Sequence, residues 1–131
     1  VLDENISRKI LPILRKIVST KEGTAKLADI YGYDIGGKTG TANKSIKGVY
    51  SNEKVNTFVS VFPTKNPKFI LAVMLDAPKI NSDYIYHYRD GSKFKLKGSP
   101  RNTAGWNSVE AAGHIIEKIG PILATKYSEI N

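Results

Sequence analysis

Residues 55–76, VNTFVSVFPTKNPKFILAVMLD, constrain the fold more than any other stretch of the chain. VNTFVSVF alternates, with Val55, Thr57, Val59 and Val61 on one side and Phe58 and Phe62 on the other, the two-residue period of a strand. PTKNP makes a tight reversal, and KFILAVMLD is an apolar run fit for a strand buried on both faces. The other elements arrange themselves around this pair. Ile6, Ile10, Ile13, Leu14, Ile17 and Val18 recur at helical spacing and predict a helix from Asn5 to about Ser19, with Pro12 kinking it or shifting its start. Ile35 to about Asn43 reads as a strand, SIKGVYSNEK after it as turn material, and Ala77 to Trp106 as one long loop. Val109, Ala112, Ile115, Ile116, Ile119 and Leu123 predict a last helix over Ser108 to about Thr125, with Asn107 as N-cap and Glu110 three residues later. The expected class is α+β. Strands near 35–43, 55–63 and 68–76 form an antiparallel three-stranded meander, flanked by an N-terminal and a C-terminal helix packed on one face.

Composition narrows the function. A chain of 131 residues with 40% hydrophobic content has material for one domain. Its longest apolar run, Phe69 to Leu75, is far short of the roughly 20 residues of a membrane span. The opening VLDENISRKILPILRK has neither the charged leader nor the cleavage site of a signal peptide. With no cysteine there is no disulfide and no thiolate metal site. With only two histidines, His87 in a polar loop and His114 beside Ile115 on the last helix, no metal or other cofactor is expected. The net charge of +8 suits an anionic partner or a solvated surface.

GYDIGGKTGTA, Gly32 to Ala42, fits two unrelated motifs at once. Gly32 to Thr39 spells the phosphate-cradling G-x-x-x-x-G-K-[ST] loop, and Lys38-Thr39-Gly40-Thr41 spells the K-T-G box of serine acyltransferases. A phosphate loop must follow an apolar strand and open into a helix, whose N-terminal amides hold the phosphates. KLADIY before it is a poor strand, and GTANKSIKG after it is a poor helix. Asp76, closing an apolar strand as a magnesium ligand would, favours the nucleotide reading.

The K-T-G box asks instead for an exposed strand with an antiparallel neighbour, which the predicted meander supplies. Gly40, without a side chain, lets a substrate backbone lie against the strand. The Thr41 N–H would be one donor of an oxyanion hole, and loss of such a donor typically costs ~10²–10³ in rate. The Thr39 hydroxyl would bind a substrate carboxylate, and Lys38 would attract it and keep neighbouring catalytic groups correctly protonated. A glycine-rich edge hairpin with a surface lysine is the bland alternative.

Three blocks in order extend this pattern: EGTAKLADIYGYDIGGKTGTAN, TFVSVFPTKNPKFILAVMLDAPK and TAGWNSVEAAGHIIEKIGPIL. From Asn5 to Leu123 the chain resembles the C-terminal end of a class B penicillin-binding protein. These are the D,D-transpeptidases that cross-link peptidoglycan, and the division-specific (septal) type is the nearest in pattern. The resemblance implies a penicillin-binding/β-lactamase-like fold and a serine acyl-enzyme. It makes Lys38 and Thr41 catalytic and Lys38, Thr39, Gly40 and Thr41 substrate-binding. Peptidoglycan stem peptides and β-lactams are the implied ligands, with other cell-division proteins as partners, no cofactor and no nucleic acid. It places the parent on the periplasmic side of the bacterial inner membrane, held by an N-terminal helix that lies outside this chain.

The departures are equally specific. The family's S-x-x-K nucleophile and S-x-N serine precede its K-T-G box, but upstream of Lys38 stand only Ser7, followed by Arg8-Lys9-Ile10, and Ser19, followed by Thr20-Lys21-Glu22. SNEK, Ser51 to Lys54, has the S-x-x-K spelling and YSN, Tyr50 to Asn52, a Y-x-N spelling, yet both fall after the box in the predicted turn. Residues 1–131 are therefore expected to be the C-terminal segment of a transpeptidase domain that lacks its nucleophile and is inactive alone. In the family's sheet the strand matching Phe69 to Leu75 is interior, so its edge would be open here and would drive dimerisation or aggregation. Two other readings stay open. One is a nucleotide site at Gly32–Thr39. The other is a polymer-binding module built on the loop 86–101, where Arg89, Lys93, Lys95, Lys97 and Arg101 mix with Tyr86, Tyr88 and Phe94.

Overall fold

The first helix, α1 (Glu4–Ser19), starts where the Asp3 carboxylate accepts the Asn5 N–H at 2.8 Å, and Glu4 pairs with Arg8 one turn on. It runs through Pro12 without ending and stops at Thr20, which turns to an extended conformation. In this computed structural model, residues 3–88, 91–95 and 101–128 are described. A 3-10 turn at Lys26–Ala28 connects α1 to β1 (Gly36–Ile46), β2 (Val49–Phe62) and β3 (Phe69–Asp76). These three strands form an antiparallel sheet in the order β1-β2-β3, the expected meander.

The β1–β2 hairpin is longer than the sequence reading. Only Lys47 and Gly48 turn, at φ of 51° and 82°, and Ile46 pairs with Val49 across them. Two successive positive φ values make the two-residue turn whose twist matches the strands it joins. SIKGVYSNEK is thus mostly strand, and Ser51 to Lys54 lie in β2 rather than in a turn. The polar alternation of this stretch hid it, because both faces of the arm are largely exposed.

In β2 the buried side is Asn56, Phe58, Ser60 and Phe62, while Val59 on the other side is 45% exposed. Phe58, Phe62 and Val73 of β3 meet Val109, Ala112 and Ile116 of α2 (Ser108–Ser128) in the core, with Val18 and Ile35. Asn107 begins α2 as expected: its backbone carbonyl accepts the Ala111 N–H and its side-chain oxygen the Ser108 N–H. The two helices do not share a face, which corrects the sequence reading. A Cβ on Gly37 would strike the Phe58 ring at 2.6 Å, on the α2 side. A Cβ on neighbouring Gly36 would strike the backbone of Leu14 and Arg15 at 3.0–3.1 Å, so α1 crosses the Gly36 end of β1 from the opposite side. Two consecutive glycines admit an element on each side, and a glycine leaves no hydrophobic signature in the sequence. β3 is also not buried on both faces: Val73 is buried, but Ile70 is 78% and Met74 68% exposed.

The expected loop 77–106 contains a short hairpin, β4 (Ile85–His87) with β5 (Lys93–Lys95). It stands on an aromatic stack: Tyr86 meets Trp106 edge-on at 5.2 Å between ring centres, and Phe94 lies parallel to Trp106 at 5.8 Å. Arg89 and Lys97 of the basic loop lie outside the described residues.

Candidate active site

β1 is the outer strand of the sheet on its side, and it carries Lys38, Thr39, Gly40 and Thr41 in one extended run. No helix begins at Lys38, so the phosphate-loop geometry is absent and the nucleotide reading is overturned. Asp76, its supposed magnesium ligand, instead pairs with Lys44 at 2.8 Å across the sheet. This contact raises the Lys44 pKa.

Strand alternation divides the box between two faces. Lys38 stands opposite Val59, itself opposite Ala72, on the open face. Its ammonium folds back to the Thr39 carbonyl at 2.8 Å. Thr39 and Thr41 stand opposite Phe58 and Asn56 on the other face, where they line a cleft of about 460 Å³. The Thr39 hydroxyl is 3.2 Å from that of Thr24, and the Thr41 hydroxyl accepts the Ala104 N–H at 3.0 Å. Gly40 separates them. The first atom a Cβ there would meet is at 3.9 Å, so packing within the chain does not require this glycine, in contrast to Gly36 and Gly37.

Two anchoring systems that the sequence did not reveal hold this arrangement. At the start of β1, Arg15 of α1 binds Asp29 at 2.8 Å, Asp34 at 3.2 Å and the Ile35 carbonyl at 2.8 Å. Asp34 sits at φ 47° and accepts the Thr64 hydroxyl at 2.6 Å and the Lys65 N–H at 3.1 Å. The Thr64 hydrogen bond is the main cause holding its carboxyl below the ordinary 3.8, assisted by Lys65 and Arg15 and opposed by burial. At the other end, fully buried Asn56 donates to Asn102 at 2.7 Å, and Asn102 donates to the Pro78 carbonyl at 2.8 Å. This chain ties β2, opposite Thr41, to the segment carrying Arg101, Thr103 and Trp106 on the far wall of the cleft.

Of the aromatic residues of the basic loop, Tyr86 turns inward. Tyr86 is 7% exposed and donates to the Trp106 carbonyl, and burial pushes its phenol up to about 12. It offers no free face for stacking a base. His87 is exposed at the end of β4, and His114 lies 3.8 Å from Glu117 on α2. Among the described residues no cluster of three or more metal-ligating side chains occurs, and no helix is long and apolar enough to cross a membrane.

Comparison with known proteins agrees with this geometry. Residues 1–94 match the family model described as the penicillin binding protein transpeptidase domain. The chain is 32% identical over 134 residues to a probable peptidoglycan D,D-transpeptidase FtsI of Caulobacter vibrioides, covering 96% of this chain and 20% of the relative. It is 35% identical over 85 residues to a probable peptidoglycan D,D-transpeptidase PenA of Neisseria flavescens, covering 64% and 21%. The chain thus spans about a fifth of the length of these relatives. Among solved structures, penicillin binding protein 3 of a Mycobacterium superposes with a TM-score of 0.57 at 26% identity, over 86% of this chain and 24% of that one. The edge strand with its K-T-G-T run, the meander behind it and the covering C-terminal helix accordingly belong to the penicillin-binding protein transpeptidase domain family.

Proposed function

We propose that this chain is the C-terminal part of a peptidoglycan D,D-transpeptidase domain of the cell-division type, in which a serine carried by polypeptide beyond residues 1–131 forms the acyl-enzyme. The observation that carries the reading is the placement of Lys38-Thr39-Gly40-Thr41 on an outer strand, with Gly40 unconstrained by its own chain. A stem peptide or a penicillin lies along this strand. Its carboxylate meets the Thr39 hydroxyl, and its carbonyl oxygen meets the Thr41 N–H, one of two oxyanion donors. Lys38, on the opposite face, supplies a fixed positive charge toward the serine-bearing element and keeps the catalytic proton carriers in their working state. Its attraction for the substrate carboxylate is then a longer-range effect through the strand. The reaction takes place outside the cytoplasm, among other cell-division proteins.

This chain supplies the carboxylate site and half of the oxyanion hole, but neither nucleophile nor base. The test is mass spectrometry after incubation with penicillin. A longer polypeptide that includes the upstream reading frame gains a penicilloyl adduct, the 131-residue chain gains none, and Lys38→Ala in the longer form slows acylation by orders of magnitude. An adduct on the short chain, at Ser51 or elsewhere, overturns the assignment, as does a longer form that never acylates.

A further inference from the structure

The cleft beside Thr39 and Thr41 is larger than one carboxylate needs. Its volume of about 460 Å³ falls within the ~300–1,000 Å³ of ligand-binding clefts. Its lining holds Lys21, Lys26 and Arg101 and, among the described residues, no Asp or Glu. Some described cations elsewhere pair with carboxylates: Arg8 with Glu4, Arg15 with Asp29 and Asp34, Lys44 with Asp76, Lys79 with Glu53, Lys95 with Asp83. The three cations of the cleft have no such partner among the described residues. Unpaired charges of one sign in a concave site focus the field and concentrate counter-ions there. The hydroxyls of Thr24 and Thr103 join those of Thr39 and Thr41 around the same space, and Tyr88 and Trp106 form an apolar wall.

We propose that Lys21, Lys26 and Arg101 form a second carboxylate subsite, which takes an acidic peptide bearing a side-chain carboxylate in addition to its terminal one. The inference rests on the proposed transpeptidase reading, in which the terminal carboxylate sits at Thr39. The geometry favours a peptide over a nucleic acid. The cleft is lined by Thr39 and Thr41 of the outer strand, beside which an extended peptide can run, whereas the Trp106 ring is already engaged with Tyr86 and Phe94.

The test compares two near-isosteric probes, acetyl-Glu-D-Ala-D-Ala and acetyl-Gln-D-Ala-D-Ala, titrated into the ¹⁵N-labelled chain. The Glu peptide binds about tenfold more tightly, shifts the amides of Lys21, Lys26 and Arg101, and loses its advantage as salt rises. The double variant Lys26→Gln/Arg101→Gln binds the two peptides equally, and Lys21→Glu does the same; all three positions are exposed, so thermal melts stay at the parent value. Equal affinities for the parent chain, or an advantage that survives both variants, overturn the subsite while leaving the transpeptidase reading intact. If neither peptide moves the Thr39 or Thr41 amides, both fail.

Discussion

The hydroxyl of Thr41 accepts the backbone N–H of Ala104 across 63 residues of sequence, at 3.0 Å. This bond fastens the K-T-G strand to the opposite wall of the cleft, and Ala104 is fully buried. Thr41→Val keeps the shape and the backbone amide but leaves the Ala104 N–H without an acceptor. It is expected to cost about 1–3 kcal/mol in chemical denaturation, while Thr41→Ser stays close to the parent. Equal stability of Thr41→Val and the parent would show that the bond carries no weight.

The three glycines of β1 separate packing from function. Gly37→Ala drives a methyl into the Phe58 ring, and is expected to destabilise the chain by about 1–3 kcal/mol through overpacking. Gly40→Ala meets nothing closer than 3.9 Å and leaves the melting temperature near the parent value. On the proposed reading the same Gly40→Ala is expected to slow penicillin acylation in the longer polypeptide, because the added methyl, on the Lys38 side of the strand, would crowd a ligand lying along it. Normal acylation by that variant would refute the proposed approach of substrate to β1.

The Arg15–Asp34–Thr64 fastening makes stability depend on acid pH. Asp34 has a folded pKa below its unfolded value, so its contribution is fully present above the ordinary 3.8 and is lost as pH falls through the depressed value. For this partly exposed group the contribution is on the order of 1 kcal/mol. Denaturation of the parent and of Asp34→Asn at a series of pH values should show the two curves converging as pH falls below the ordinary 3.8. Parallel curves across that range would remove Asp34 as the cause.

β3 ends the sheet with Ile70 and Met74 exposed and its outer edge unpaired among the described residues. Such an edge invites a second copy. Light scattering on the 131-residue chain is expected to show dimers or larger species at high concentration. Ile70→Lys should shift the population toward monomer, and a monomeric parent at all concentrations contradicts the expectation.

The sequence made the β2–β3 hairpin legible because Phe58 and Phe62 alternate with residues of the other face, and the antiparallel order of the three strands followed from their short connections. It did not reveal the outer half of the β1–β2 hairpin, since Lys44 to Lys54 bury no face, leaving even Ile46, Val49 and Tyr50 exposed, and Lys-Gly is an unusual pair for a turn that needs positive φ twice. The hairpin of β4 and β5 was missed because strands of three residues carry no period. At the site, Lys38 to Thr41 were found by their spelling. Arg15, Asp34, Asn102 and Ala104 were not, because their partners lie 14 to 63 residues away and only the folded chain brings them together.

The alternation of β1 also bears on how such a site changes under selection. Lys38 and the two threonines occupy neighbouring positions yet look into separate compartments, with the backbone of one strand as the wall between them. A substitution around the threonine compartment, at Thr24, Lys26, Arg101 or Thr103, reshapes the cleft without touching the charge on the other side. On the proposed reading, ligand preference would therefore drift by single steps while the charge across the strand stays fixed.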